Sequence, residues 1–206
     1  VAGPVWEFAG TLAGFIPSSY VEDFRFEPES VVLTGFGPAA TLTSQVLKLD
    51  ADNYTWLTLD AEASAPTVVT VTWQDAEGVY SRDRARLSIP VGKTHHIVPL
   101  GRFGSWQGTV TGLRIQWTAA EAPVEMCLRR LALGEVPTGP PQLEILSLGT
   151  DRATTVRGNP VVVQAEVRNA GGTPLPAQTL AISTKGRPLG QLRAPQLGPG
   201  ESVQLA

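Results

Sequence analysis

The chain has 206 residues, with 21 Gly, 17 Pro, a single Cys and a net charge of −3. That length suits one large or two small domains, and the apolar content is enough to build a core, which excludes a disordered chain. No run of about eighteen apolar residues reads as a membrane span, and the acidic balance argues against a nucleic-acid partner, which needs a basic face.

The charge is uneven: residues 1–137 carry 15 acidic and 10 basic residues, residues 138–206 carry 4 and 6. The chain opens at Val1 without a signal-peptide pattern, which reads as a processed product or an excised piece. One cysteine, Cys127, can form neither an internal disulfide nor a thiolate cage. In its apolar strand context it reads as a small buried hydrophobe.

From the N-terminus, residues 5–8 form a short strand and residues 10–17 a loop. Phe24 and Phe26 alternate with polar neighbours. Val31, Val32 and Leu33 make a strand expected to end at Gly35-Phe36-Gly37-Pro38. Residues 40–49 alternate weakly and stop at Asp50-Ala-Asp-Asn53, whose side chains favour a turn. In the next strand, 54–60, Leu57 and Leu59 share one face while Trp56, Thr58 and Asp60 share the other. The clearest β pattern runs through 67–73, with Val69, Val71 and Trp73 on one face. Residues 75–84 are polar and turn at Gly78. Strands follow at 86–89 and 95–100.

Residues 106–115 read as the penultimate strand of a sandwich and 124–133 as the strand that closes it. Trp106 and Trp6 read as packing anchors, Trp73 as core, and Trp117 as a residue at the rim. No window of ten residues carries a helical apolar period. Short strands spaced by turn signals point to an all-β sandwich.

Val136-Pro-Thr-Gly-Pro-Pro141 cannot lie inside a sheet and reads as a stiff spacer. The expected organisation is a jelly-roll-type β-sandwich over 1–137, a Pro/Gly linker at 138–141, and a partial immunoglobulin-like sandwich over 142–206. Strands are expected there at 143–148, 160–168, 178–183 and from 202. About 100 residues is usual for an immunoglobulin-like domain, so further strands are expected beyond Ala206.

Sugar recognition needs an aromatic face for the C–H side of a ring and planar polar groups for the hydroxyls. Trp56 with Asp60 on one strand face is a candidate platform. Asp75, Glu77, Tyr80, Arg82 and Asp83 are candidates on the long loop. The expected ligand set is Trp56, Asp60, Tyr80, Arg82 and Asp83. His95 and His96 are adjacent in a strand and point to opposite faces, so they do not share a metal ion; His96 reads as a hydrogen-bonded core residue. The sequence holds no GxSxG, no HExxH and no phosphate-cradling loop. No catalytic residue is expected in this chain.

The first domain resembles the galactose-binding-like β-sandwiches attached to exported bacterial carbohydrate-active proteins. The resemblance is carried by Trp6-x-Phe8, Leu49-Asp50-Ala51, Tyr54-x-Trp56, Val71-x-Trp73, Leu100 and Trp106-x-Gly108-x-Val110-Thr-Gly-Leu-Arg114. Related modules often hold a structural calcium ion through acidic residues on their terminal strands. Here Cys127 stands where an Asp is usual, a thiol is a poor ligand for a hard cation, and Glu7 alone does not hold one. No cofactor is therefore expected. Thr94 and His96 stand where a His and a Tyr are usual.

The second segment resembles the CARDB type of immunoglobulin-like module through Pro160-Val-x-Val-x-Ala-x-Val-Arg-Asn169-x-Gly and Leu197-Gly-Pro-Gly-Glu-Ser-Val203. Together the resemblances imply a secreted or cell-surface location, a polysaccharide or glycan partner and further domains of the same parent chain. The expected function is a non-catalytic carbohydrate-binding accessory region with an immunoglobulin-like spacer, part of a larger exported protein such as a glycoside hydrolase. A structural or adhesive surface module that binds protein is the alternative, and a catalytic β-sandwich the third reading.

Overall fold

The computed structural model describes residues 3–152, 161–184 and 187–206, the side chains of 37–39 and 119–121 apart. The chain divides into two compact units, Val1–Glu135 and Val136–Ala206. Apart from two short 3₁₀ turns, the regular structure of the described residues is β.

The first unit is organised by two long strands, β4 (Ser30–Ser44) and β11 (Gly112–Gly134), which pair antiparallel over most of their length. The first half of β11 is flanked on its other side by β7 (Thr67–Gln74), and its second half by β6 (Trp56–Ala63). Further strands join these two halves separately. β1 (Val5–Glu7) pairs the end of β11, β3 (Val21–Glu27) pairs the start of β4, and β9 (His95–Pro99) pairs β6. β2 (Phe15–Pro17) pairs the end of β4, and β8 (Ala85–Ile89) pairs β7.

Two layers result, sharing β4 and β11, which pass from one to the other. We call the layer β1-β3-β4-β11-β6-β9 the first layer and β2-β4-β11-β7-β8 the second. A separate ribbon pairs β5 (Leu49–Asp50) with β10 (Thr109–Val110).

Period-2 alternation puts the apolar side chains of both layers into one core. Leu33, Leu57, Leu59, Met126, Leu128 and Leu131 come from the first layer; Leu42, Val69, Val71, Trp73, Leu113 and Ile115 come from the second. Trp73 and Trp106 are buried and meet edge to face at 5.2 Å. Both indoles are hydrogen-bonded, Trp73 Nε1 to Ser105 O at 3.0 Å and Trp106 Nε1 to Tyr54 O at 2.6 Å. Trp6 is half-buried and meets the ring of Phe15 edge-on.

Three expectations need correction here. The strand at 31–34 does not end at Gly35; β4 runs through it. The glycine makes room for a neighbour: a Cβ there would lie 2.5 Å from Trp117 Nε1 and 2.6 Å from the Ala40 Cβ. Trp117 is not at the rim but fully buried. The penultimate and closing strands are one strand, β11, with register shifts between 117 and 124 where it changes layer. Such bulges bend a strand without ending it, and the residues of 106–108 lie before it. One strand inside the expected N-terminal loop, β2, was too short to carry a pattern.

In the second unit β12 (Leu143–Thr150), β13 (Val163–Asn169) and β16 (Ser202–Leu205) form an antiparallel sheet. β14 (Gln178–Thr184) and β15 (Arg187–Ala194) form a hairpin. Its core is small: Ala165, Val167, Leu175, Leu192, Ala194, Leu197 and Leu205. The expected strand start at Pro160 lies outside the described residues. β15 was not expected, because Pro188 and Gly190 break its pattern.

Asn169 is fully buried and ties the turns of this unit together. Its amide donates to Thr173 O, Leu197 O and Gly198 O, and its oxygen accepts from the N–H of Gly171 and Gln142. The Pro/Gly segment is held to the same turn: Gly172 N–H donates to Gly139 O at 2.9 Å and Ala170 N–H to Gln142 O at 2.7 Å. Only a glycine fits at 171, where a Cβ would fall 1.9 Å from Pro140 O.

Candidate functional site

On the outer face of the first layer, strand register lines up side chains of four neighbouring strands. Asp60 pairs with His95 on one side and Arg130 on the other, and Arg130 pairs with Glu7. The side chains follow the backbone. His95 Nδ1 lies 2.6 Å from Asp60 Oδ1, Arg130 Nη1 lies 4.0 Å from Asp60 Oδ2, and Arg130 Nε lies 3.2 Å from Glu7 Oε1. Acid and base thus alternate across roughly 14 Å, three strand spacings of about 4.8 Å.

A second group lies beside this row. Arg129 Nη2 pairs with Glu62 at 3.3 Å, and Arg25 bridges Glu125 at 3.0 Å and Glu27 at 3.4 Å. The hydrogen-bonded Glu125 carboxylate, with Glu27 behind it, raises the pKa of the Arg25 guanidinium above its ordinary value. Depressions of about 310, 340 and 340 Å³ open on this face, and Arg129 lines all three. Its Nη1 is buried without a hydrogen-bond partner.

A bulge in β11 explains why Arg129 and Arg130 both reach this face. Ordinary alternation sends adjacent residues to opposite sides, but the β11–β6 register shifts between Leu128 and Arg130. The sequence carries the signal: core residues Met126 and Leu128 are followed by Leu131 and Leu133, a skip of phase. Sequence reasoning read 124–133 as regular and missed both arginines, along with Glu62, Arg25 and Glu29.

The expected ligand residues divide between the layers. Trp56, half-buried, and Asp60 lie on the outer face of β6 as their parity required. Tyr80, Arg82 and Asp83 sit in the loop after β7, at the end of the second layer. There Gln74 bridges to Tyr80, and the Arg114 guanidinium lies 3.6 Å from the Tyr80 ring centroid. Arg82 is exposed. Asp83 Oδ2 accepts from Ser105 N–H and from Ser105 Oγ, at 3.1 and 2.7 Å. That carboxylate tethers two loops. Asp75 caps its own turn by accepting from the N–H of Glu77 and Val79. The five residues do not form one site.

His96, on the core side of β9, is 3 % exposed. Its Nε2 lies 3.0 Å from Lys93 O and 3.2 Å from Ala61 O, so the neutral ring donates from Nε2. Burial, more than any neighbour, lowers its pKa below the ordinary imidazole value.

Cys127 is half-buried on the outer face of the first layer, between Val32 and Glu62 in register. Glu7 is engaged by Arg130. Among the described residues no three His, Cys, Asp or Glu side chains converge as metal ligands.

No protein-family model matches the chain, and no curated protein matches it. Among solved structures the chain is similar to a family 6 carbohydrate-binding module, with a TM-score of 0.45 and 11% identity over 65% of this chain and 94% of that one. It is similar to a family 29 carbohydrate-binding module with a TM-score of 0.45 and 9% identity, over 64% and 91% of the two chains. A third likeness is to the Endo-D glycoside hydrolase domain of Streptococcus pneumoniae R6, with a TM-score of 0.43 and 12% identity, over 93% of this chain and 31% of that one.

Proposed function

We propose that the first unit is a non-catalytic glycan-binding module that takes its ligand on the outer face of the first layer. The observation that carries this reading is the row Glu7–Arg130–Asp60–His95, with the Arg129-lined depressions beside it. Planar carboxylates and guanidinium groups, fixed by one another, present preset donors and acceptors to vicinal hydroxyls. Trp56, on the same strand face, offers an indole surface to the C–H side of a sugar ring.

A binding role fits this face better than hydrolysis does. Glycoside hydrolysis needs one carboxyl group kept protonated as the acid and a second as base or nucleophile, flanking the scissile bond. Here Asp60, Glu7 and Glu62 are each engaged by an arginine.

The second unit, in this reading, is a CARDB-like immunoglobulin-type spacer, and both units belong to a larger exported bacterial protein at the cell surface or outside it. Affinity electrophoresis against a panel of neutral polysaccharides tests the binding role. Retardation by at least one polymer, lost in Trp56→Ala, is expected; no retardation by any glycan with the fold intact overturns it.

One observation favours the adhesive reading. Phe24 and Phe26 on β3 are 43% and 51% exposed, with ring centroids 5.5 Å apart. Exposed aromatic pairs of this kind occur at protein contacts.

A further inference from the structure

The two outer faces of the first unit differ in how their charged side chains are arranged. On the outer face of the second layer, strand register gives two adjacent rows. One is Arg86, Thr70, Gln116 and Thr41; the next is Thr72, Arg114 and Thr43. Among the described residues, the outward positions of β7, β8, the first half of β11 and β4 that form these rows hold no Asp or Glu. This segregation occurs in a unit that is acidic as a whole.

The arginines of the two faces are in different states. Arg25, Arg129 and Arg130 on the first layer all pair with carboxylates. Arg114 and Arg86 pair with none among the described residues. Arg114 is also held in place, its guanidinium 3.6 Å from the Tyr80 ring centroid. Tyr80 in turn is fixed by its bridge to Gln74 on β7. Stacking on a ring orients the planar fork while leaving its N–H edge for a ligand.

We infer that this face is a second binding surface, for a carboxylate-bearing polysaccharide, with Arg114 and Arg86 taking its carboxylates. The fork of a guanidinium matches a planar carboxylate through two parallel N–H···O bonds. The threonines beside the arginines are donors and acceptors suited to sugar hydroxyls. The arginine Cα atoms are about 12 Å apart, two strand spacings across and two residues along. An extended polymer with repeated carboxylates spans that distance, whereas a single small anion does not.

Affinity electrophoresis with polygalacturonate, its fully methyl-esterified form and a sulfated polysaccharide tests this on the whole chain. Polygalacturonate is expected to retard the protein strongly and the ester not at all. Arg114→Gln and Arg86→Gln should each weaken retardation at least tenfold, with unchanged circular dichroism. Arg187→Gln in the second unit, which removes the same charge elsewhere, should leave it as it was. Arg114→Lys should be weaker than wild type, because an ammonium lacks the fork.

Equal retardation by the ester, an equal loss in Arg187→Gln, or stronger retardation by the sulfated polymer overturns the inference. So does no retardation by polygalacturonate. If neutral polymers still retard the protein in that case, the first-layer reading stands; if polygalacturonate alone retards it, the first-layer reading fails and this one holds.

Discussion

His95 Nδ1 and Asp60 Oδ1 approach to 2.6 Å across the β6–β9 pair, with side-chain exposures of 12% and 25%. Asp60 is therefore shared between an imidazole on one strand and Arg130 on the next. Removing its charge should loosen both neighbours without emptying the core. Asp60→Asn is expected to lower stability by about 1 kcal/mol, seen as a small shift in the urea midpoint, while neutral-glycan affinity falls at least tenfold. An unchanged affinity would remove Asp60 from the binding face.

The crossing of β4 and β11 makes a prediction about packing. Gly35 lies against the Trp117 indole, where a Cβ would come within 2.5 Å of Nε1. Gly35→Ala is therefore expected to cost about 1–3 kcal/mol through overpacking, measured by urea unfolding at constant m-value. Trp117 Nε1 is buried with no hydrogen-bond partner. Trp117→Phe removes that unsatisfied donor along with the ring volume. It should cost less than the about 3–5 kcal/mol typical of Trp→Ala.

The tryptophans show how far the sequence reading reached. Trp73 shares parity with Val69 and Val71, and parity alone placed it in the core. Trp117 shares the same parity with Ile115, yet it reads as a rim residue, because the alanine-rich 118–122 stretch and Pro123 carry no alternation past it. What hides there is a layer crossing, which depends on pairing with β4 and leaves no local periodic signature. The charged face was half legible. Alternation gave the orientation of Trp56 and Asp60 on β6, but joining Glu7, Arg130 and His95 to Asp60 required the register of four strands, a long-range property. Arg129 and Arg130 could have been found from the phase skip between Leu128 and Leu131.

His96 should make stability fall in mild acid. Burial lowers its folded-state pKa, so the unfolded chain binds the proton first as pH drops. The stabilisation from keeping the ring neutral is complete above the unfolded value of about 6.5. It is lost progressively as pH falls below that toward the folded pKa. His96→Leu should flatten the dependence of unfolding free energy between pH 7.5 and 5.5. A variant with the wild-type slope would assign the effect to another group.

Asn169 satisfies backbone groups at five positions from its buried place in the second unit. Asn169→Ala leaves the buried Gly171 N–H without its side-chain acceptor, at roughly 1–3 kcal/mol for a group left buried and unmet, while Leu197 O keeps the N–H of Leu175. Amide hydrogen exchange should show protection lost across β13 and β16 and kept in β7 and β11. Uniform loss over both units would mean that they unfold as one.

The central claim is that the outer face of β6 and its neighbours binds a glycan. Titration calorimetry of the wild type and Trp56→Ala against the neutral oligosaccharide with the strongest retardation tests it most directly. The account predicts saturable one-site binding in the wild type and a loss of at least tenfold in the variant, with the far-ultraviolet circular dichroism of the folded protein retained. Equal affinity in the two proteins, or no binding by the folded wild type, would contradict it.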